Sequence, residues 1–299
     1  MKAAPFEYAR AQSLDHAVQM LAEHGDEGKV IAGGQSLVPM LAMRLLAPAW
    51  LIDIHGLAEL QTIAVDGDAL AIGAATRQCM ALKSDLLDPS VPLLRKALRW
   101  VGHTPTRNRG TIGGSLAHAD PSAELTLAAA MLEAQMTLKS TLGTWQVGAG
   151  DFFAGPMMTC LEPDECLIAV HFPIWRDANT GCAFEEIAAR HGDFAIVSAA
   201  AQLSVDHDGV CTRAALGIGG ASQTAMAFND LARQQLVGST LDDKLLRDVA
   251  QQASRLVEPT GDLQASVAYR HHLAGVFAER ALRGARQEAL QHIMQKVAA

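Results

Sequence analysis

The sequence predicts an α+β protein in two parts, and three observations carry that prediction. Before residue 58 the chain reads as strand, glycine turn, helix and strand. Asp66-Gly67-Asp68 lies between two apolar segments and is a strong hairpin signal. Beyond residue 177, three strand-like segments are followed by three helical ones, the signature of a separate α+β domain. The 299 residues, 49% of them hydrophobic, suffice for two domains with ample core.

The elements follow from local chemistry. Ser13 is placed to cap a helix over Leu14–His24, with Leu14, Ala17, Val18 and Leu21 on one face and Gly25 at its end. Residues 29–32 read as a short buried strand running into Ala32-Gly33-Gly34-Gln35-Ser36-Leu37. Residues 36–46 read as a helix closed by Pro48, and residues 50–54 as the next strand. The hairpin pairs residues 62–65 with Ala69–Gly73, and helices are expected over 78–87 and 91–102. Residues 104–110 form a polar loop leading into a second glycine segment, Thr111-Ile112-Gly113-Gly114-Ser115, read as a turn with positive φ at Gly114. A helix over Glu124–Met131, paired strands over 132–139 and 144–147, and a buried strand over 165–172 ended by Pro173 complete the first part. The polar cluster at 177–181 is the best linker. It divides the chain into residues 1–176, with subdomains of about 1–58 and 59–176, and residues 177–299. In the second part, strands are expected over 183–187, 196–205 and 210–217, and helices over 225–236, 242–257 and 264–296. Gly219-Gly220 reads as a strand-end turn.

Composition excludes several function classes. A formal charge of −8 argues against nucleic-acid binding through bulk electrostatics. No apolar run of eighteen residues appears, so no membrane span is expected. The first residues lack the apolar region of a secretory signal, which makes the cytoplasm the expected compartment. Cys79, Cys160, Cys166, Cys182 and Cys211 contain no C-x-x-C pair, so neither a disulfide framework nor an iron–sulfur cluster is expected in this chain. His271-His272 and the pair His118/Asp120 have no recognised metal-ligand spacing, and no metal site is expected.

The two glycine segments are the candidate binding site. Paired glycines let the backbone bend sharply against a ligand, and their amides can converge on phosphate oxygens. Gln35, Ser36, Thr111 and Ser115 add side-chain donors. Neither G-x-G-x-x-G after the first strand nor a P-loop is present. With no lysine or arginine cluster in the first segment, main-chain amides carry the recognition. No nucleophile–base constellation stands out and no catalytic residue is assigned, which suits a protein whose chemistry belongs to a cofactor.

The residues also resemble a known family. AGGQSL at 32–37, IGA at 72–74, RNRGTIGGSLAHADPSAE at 107–124, PDECLIAVHFP at 163–173 and ARHGDFAIV at 189–197 occur in the order seen in the FAD-binding medium subunits of molybdenum hydroxylases. That group contains carbon monoxide dehydrogenase and the flavin domain of xanthine dehydrogenase. The resemblance implies a two-part FAD-binding domain of the vanillyl-alcohol-oxidase/CO-dehydrogenase-flavoprotein type, followed by a C-terminal α+β domain. It implies that Ala32, Gly33, Gly34, Gln35, Ser36 and Leu37 wrap the FAD diphosphate together with Thr111, Gly113, Gly114 and Ser115. Asp120 and Glu124 would approach the ribityl or adenosine hydroxyls, Leu167 would border the cofactor, and Phe194 would cover the isoalloxazine ring. Read without the family, Asp120 is a helix cap, and Leu167 and Phe194 are core residues. The resemblance further implies a small [2Fe–2S] subunit and a large molybdopterin subunit as partners, assembled as a dimer of heterotrimers, with this chain passing electrons to an external acceptor. Two other classes remain open: a stand-alone FAD-dependent oxidoreductase acting on a small organic substrate, and a scaffold subunit without flavin.

Overall fold

The first helix forms as its sequence dictates. Ser13 Oγ accepts the His16 amide at 3.1 Å, the helix spans Leu14–His24, and Gly25 ends it at a φ of 50°. Leu14, Ala17, Val18 and Leu21 are buried on one face. The computed structural model describes residues 2–297, and they group into two units, each assembled from separate stretches of chain.

The first unit runs through Leu86, resumes over His103–Ala119 and finishes with Ala134–Phe172. Strands β1 (Glu7–Arg10), β2 (Gly28–Ile31) and β3 (Trp50–Asp53) form a parallel sheet in the order β1-β3-β2. Its helical side packs Val18 and Leu21 with Ile52 and Ile54. The expected helix over 36–46 is shorter, Leu37–Ala42. A second sheet combines β4 (Ile63–Asp66), β5 (Ala69–Gly73), β6 (Gln135–Ser140), β7 (Gly143–Gly148) and, after the small β8 (Phe153–Gly155) and β9 (Met158–Thr159) pair, β10 (Cys166–Pro173). The order is β4-β5-β10-β6-β7. The hairpin turn between β4 and β5 carries Gly67 at a φ of 57°, the conformation its sequence demands.

The second unit takes Leu87–Gly102, Asp120–Glu133 and the chain from Pro173 onward. Strands β11 (Thr180–Ala188), β12 (Ala195–Val205), β13 (Cys211–Gly219) and the two-residue β14 (Met226–Ala227) form an antiparallel sheet in sequence order. The sequence predicts three of these strands; the fourth is too short to leave a periodic signal. One face is covered by the helices Asn229–Leu236, Asp243–Leu256 and Val267–Val297, with Val197, Leu203 and Leu216 packed among Leu246, Val249 and Leu282. Asp242 caps the middle helix by accepting the amides of Lys244 and Leu245. The helices Pro92–Trp100 and Glu124–Met131 also pack on this sheet. Every residue of Glu124–Met131 is buried, as suits a segment that is apolar on all sides apart from Glu124 and Thr126.

The α+β class is observed, and none of the helices among the described residues is long and apolar enough to cross a membrane. Residues 104–110 depart from expectation: Thr104–Arg109 is a short helix with Pro105 in its first turn, where its fixed φ is compatible and its missing N–H costs nothing.

Leu216 is completely buried at the centre of the C-terminal sheet, whereas Leu263 is fully exposed. Leu216→Ala is expected to lower stability by about 2–5 kcal/mol, and Leu263→Ala to stay within about 0.5 kcal/mol of the parent, read from urea midpoints monitored in parallel.

Candidate functional site

The first glycine segment leaves β2 and turns immediately. Gly34 adopts a φ of 70°, which only glycine enters at little cost. Gly33 is held for a different reason. A Cβ there would lie 2.3 Å from the Arg109 carbonyl oxygen and 2.8 Å from Gly110 Cα, so the loop rests directly on the backbone that precedes the second glycine segment. Within this loop the Val38 amide returns to the Gly34 carbonyl and the Met40 amide to Ser36, while Gln35 Nε2 reaches the Gly33 carbonyl at 3.4 Å. The amides of Gly33, Gly34, Gln35, Ser36 and Leu37 donate to no acceptor among the described residues. Gln35 is exposed, and Gly34, Ser36 and Leu37 are partly so. Five consecutive unengaged amides around a positive φ suit a multiply charged anion. Ala32, by contrast, packs against the core of its sheet.

The second segment is a helix start rather than a turn. Thr111 is the N-cap of the helix Ile112–His118, and its Oγ1 accepts the Gly114 amide at 3.1 Å. Gly114 is therefore helical, and the positive φ expected there is found at Gly34 instead. The amides of this segment are already engaged: Ile112 donates to Thr76 O, Gly113 to Ala74 O and Ser115 to Thr111 O. What it can offer a ligand is its small exposed surface at Gly114 and the Ser115 hydroxyl. Gly113 is glycine because a Cβ would sit 2.4 Å from Ala74 Cβ. The stretch Gly73–Gln78, absent from the predicted site, thus clamps the second segment: Gln78 donates its amide to Gly110 O while Ala74 and Thr76 accept from it. Only the IGA string hinted at this, since carbonyl acceptors leave no side-chain signal. Leu167 is buried on β10, and the carbonyl of its neighbour Ile168 accepts the Ala74 amide at 2.8 Å, which ties that strand to the same clamp.

The remaining predicted residues lie in the second unit. Asp120 is buried and its Oδ1 accepts the Ser122 amide at 2.8 Å. It shapes a turn; the helix Glu124–Met131 is capped by Ala123, with no side-chain cap bond. Glu124 is buried at the first position of that helix, where the N-terminal dipole favours a negative charge. Phe194 is 60% exposed in the connection between β11 and β12, so it is no part of a core. A cavity of about 390 Å³ in the same unit, lined by Arg95, Arg99, Trp175, Gln202 and His292 among others, includes none of the predicted residues.

The cysteines are spread through both units. Cys166, Cys182 and Cys211 are buried, and burial pushes their thiols up to about 12, about 12 and about 11 respectively. Such thiols are poor sources of the thiolate that metal ligation requires. The side-chain ligand atoms of Asp206, His207 and Asp208 lie within 4.8 Å of one another in the turn between β12 and β13, but Asp206 Oδ1 is bonded to the amides of Asp208 and Val210.

Sequence-family comparison matches residues 4–175 to the FAD binding domain in molybdopterin dehydrogenase and residues 182–285 to the CO dehydrogenase flavoprotein C-terminal domain. The chain belongs to the molybdopterin dehydrogenase flavoproteins. It is 36% identical over 282 residues to the 6-hydroxypseudooxynicotine dehydrogenase complex subunit alpha of Paenarthrobacter nicotinovorans, covering 94% of this chain and 95% of that protein. It is 31% identical over 284 residues to the carbon monoxide dehydrogenase medium chain of Afipia carboxidovorans, covering 95% and 98%. Among solved structures, quinoline 2-oxidoreductase from Pseudomonas putida 86 superimposes with a TM-score of 0.91 at 37% identity, covering 97% of this chain and 99% of the matched one. This flavoprotein is accordingly an oxidoreductase subunit, and FAD is the cofactor of its N-terminal domain.

The clamp makes a stability prediction for the flavoprotein. Gly113→Ala is expected to cost about 1–3 kcal/mol through overpacking against Ala74. Gly150→Ala, whose added methyl meets open space, should leave thermal unfolding unchanged or raise the midpoint slightly.

Proposed function

We propose that this chain is the electron-exit subunit of a molybdenum hydroxylase complex. In this reading it takes electrons from [2Fe–2S] clusters on a small partner subunit, fed by a large molybdopterin subunit, and passes them to an external acceptor. The three chains would associate as a dimer of heterotrimers in the cytoplasm. Residues 1–176 would serve as the cofactor domain and residues 177–299 as its C-terminal companion.

The observation that carries the reading is the row of unengaged amides from Gly33 to Leu37. The left-handed bend at Gly34, at a φ of 70°, sits among these amides, as in an anion-binding nest, and this supports an FAD diphosphate there. A hydrogen bond to a charged group contributes roughly 1.5–3 kcal/mol, so several together hold a diphosphate without a lysine. Thr111, Gly113, Gly114 and Ser115 flank the phosphates; since their amides are largely engaged within the protein, they supply close approach and a hydroxyl. Asp120 and Glu124 accept from ribityl or adenosine hydroxyls, Leu167 gives an apolar border, and Phe194 covers the ring face. Bound FAD supplies the chemistry, accepting electrons singly and releasing them as a pair. The chain's residues bind it, orient it and limit solvent access. The buried thiols support placing the iron–sulfur ligands on another chain.

Two measurements test this. Gly34→Ala should lower FAD occupancy at least tenfold, because a side chain at that φ displaces the amides, at about 1–2 kcal/mol of backbone strain. Gly67→Ala imposes comparable strain at a φ of 57° in open space and should leave FAD occupancy unchanged. Equal occupancy in both variants would remove the loop from the diphosphate site. Separately, metal analysis of the isolated chain should find flavin without molybdenum or iron; either metal would contradict the assigned division of labour.

A further inference from the structure

Arg77 stands in the stretch that clamps the second glycine segment. It precedes the helix Gln78–Lys83 as its N-cap residue, and its backbone forms an isolated bridge with Thr111. Its side chain is partly buried and reaches the end of β3, where Nη2 lies 2.7 Å from His55 Nε2. The parallel register sets Asp53 beside Ile31, and the Ile54 amide donates to the Ile31 carbonyl at 3.1 Å. His55 therefore leaves the sheet next to the point where the first glycine loop begins. Arg77 spans from the second glycine segment to the root of the loop with unengaged amides. The packing of Gly33 on Arg109 and Gly110 brings the same two segments together. All of these residues belong to the first unit.

The Arg77–His55 contact is chemically incomplete. Arginine has no acceptor, so Nε2 accepts, and the imidazole is neutral with its proton on Nδ1. The guanidinium thus gains a hydrogen bond and no counter-charge. It carries five N–H donors, and the His55 contact is the one hydrogen bond its side chain makes among the described residues. Asp53, two residues before His55, is already engaged: its carboxylate accepts the Tyr8 hydroxyl and the His55 amide. The His55 carbonyl is held by Gln61 Nε2 at 2.7 Å, which fixes the loop that carries the imidazole. A partly buried cation is ordinarily paired with an anion, and this one is held in place by a neutral partner with donors to spare.

We propose that Arg77 is a binding residue for the diphosphate of FAD: its remaining guanidinium N–H groups donate to a phosphate oxygen while His55 holds the side chain in position. This rests on the reading that the loop over residues 33–37 receives the diphosphate. The amides there supply dipoles and no net charge, and Arg77 adds a cation with the planar fork that suits phosphate. It lies outside both glycine segments, so the sequence does not mark it.

The first test uses the unaltered full chain. The arginine-selective reagent phenylglyoxal is applied to it without ligand, with saturating FAD and with inorganic pyrophosphate, and the labelled sites are read by peptide mass mapping. Arg77 should react in the flavin-free chain and be protected by FAD and by pyrophosphate, while the exposed Arg255 is labelled in all three samples. The second test is FAD affinity by flavin fluorescence titration. Arg77→Gln should weaken binding about tenfold or more, the size of one lost hydrogen bond to a charged group. Arg77→Lys, which keeps the charge, should recover most of that loss, and Lys83→Gln, at the exposed far end of the same helix, should bind as the parent does. Arg77 unreactive without ligand, unprotected by either ligand, or replaceable by glutamine without loss would overturn the proposal, as would Arg77→Lys binding as weakly as Arg77→Gln. FAD bound by the parent and lost in Gly34→Ala, with Arg77 unprotected, overturns this inference alone. A parent chain that binds no FAD overturns the site reading and this inference together.

Discussion

The candidate site depends on the close packing of Gly33 against the carbonyl of Arg109. A methyl group at Gly33 would sit 2.3 Å from that oxygen, so two segments more than seventy residues apart can meet only because one of them has no side chain. The consequence is chemical as well as steric. With the loop seated on Arg109 and Gly110, and turned by Gly34 at a φ of 70°, the amides of residues 33–37 cannot join β2 or complete a helix. They find no acceptor among the described residues, and unengaged main-chain donors beside a left-handed bend suit an anion.

The two glycine pairs look alike in sequence and act differently. At 33–34 they allow a close contact and a left-handed bend. At 113–114 they let a helix begin against Ala74, with amides already committed to the carbonyls of Ala74 and Thr76 and to the Thr111 hydroxyl. One segment is a source of donors; the other is a tightly packed wall.

The second unit buries polar groups on one face of a sheet whose other face is apolar. Its sheet is apolar on the side of the three C-terminal helices. On the row that includes Glu186 and Ser198, polar side chains are buried in spite of the cost, close to Glu124. Burying unpaired polar atoms is unfavourable unless something pairs with them. The buried Cys166, Cys182 and Cys211 are the reverse case: burial suppresses their ionisation and leaves them as packing residues.

Much was legible from the sequence. The helix Leu14–His24 with both its caps, the hairpin at Gly67, the helix Asp243–Leu256 and the α+β class follow from short-range rules of capping, turn chemistry and periodicity, which act within a few residues. The short helix Thr104–Arg109 did not follow, and the exposure of Phe194 rules out only its alternative reading as a core residue, because marginal helices and exposure depend on what packs nearby. Tertiary structure alone decided that the helix Glu124–Met131 joins the C-terminal sheet, that Gly113 is a packing glycine, and which of two similar segments keeps its amides available. Residue types reveal which groups can hydrogen-bond; only the folded chain determines which of them find a partner within it.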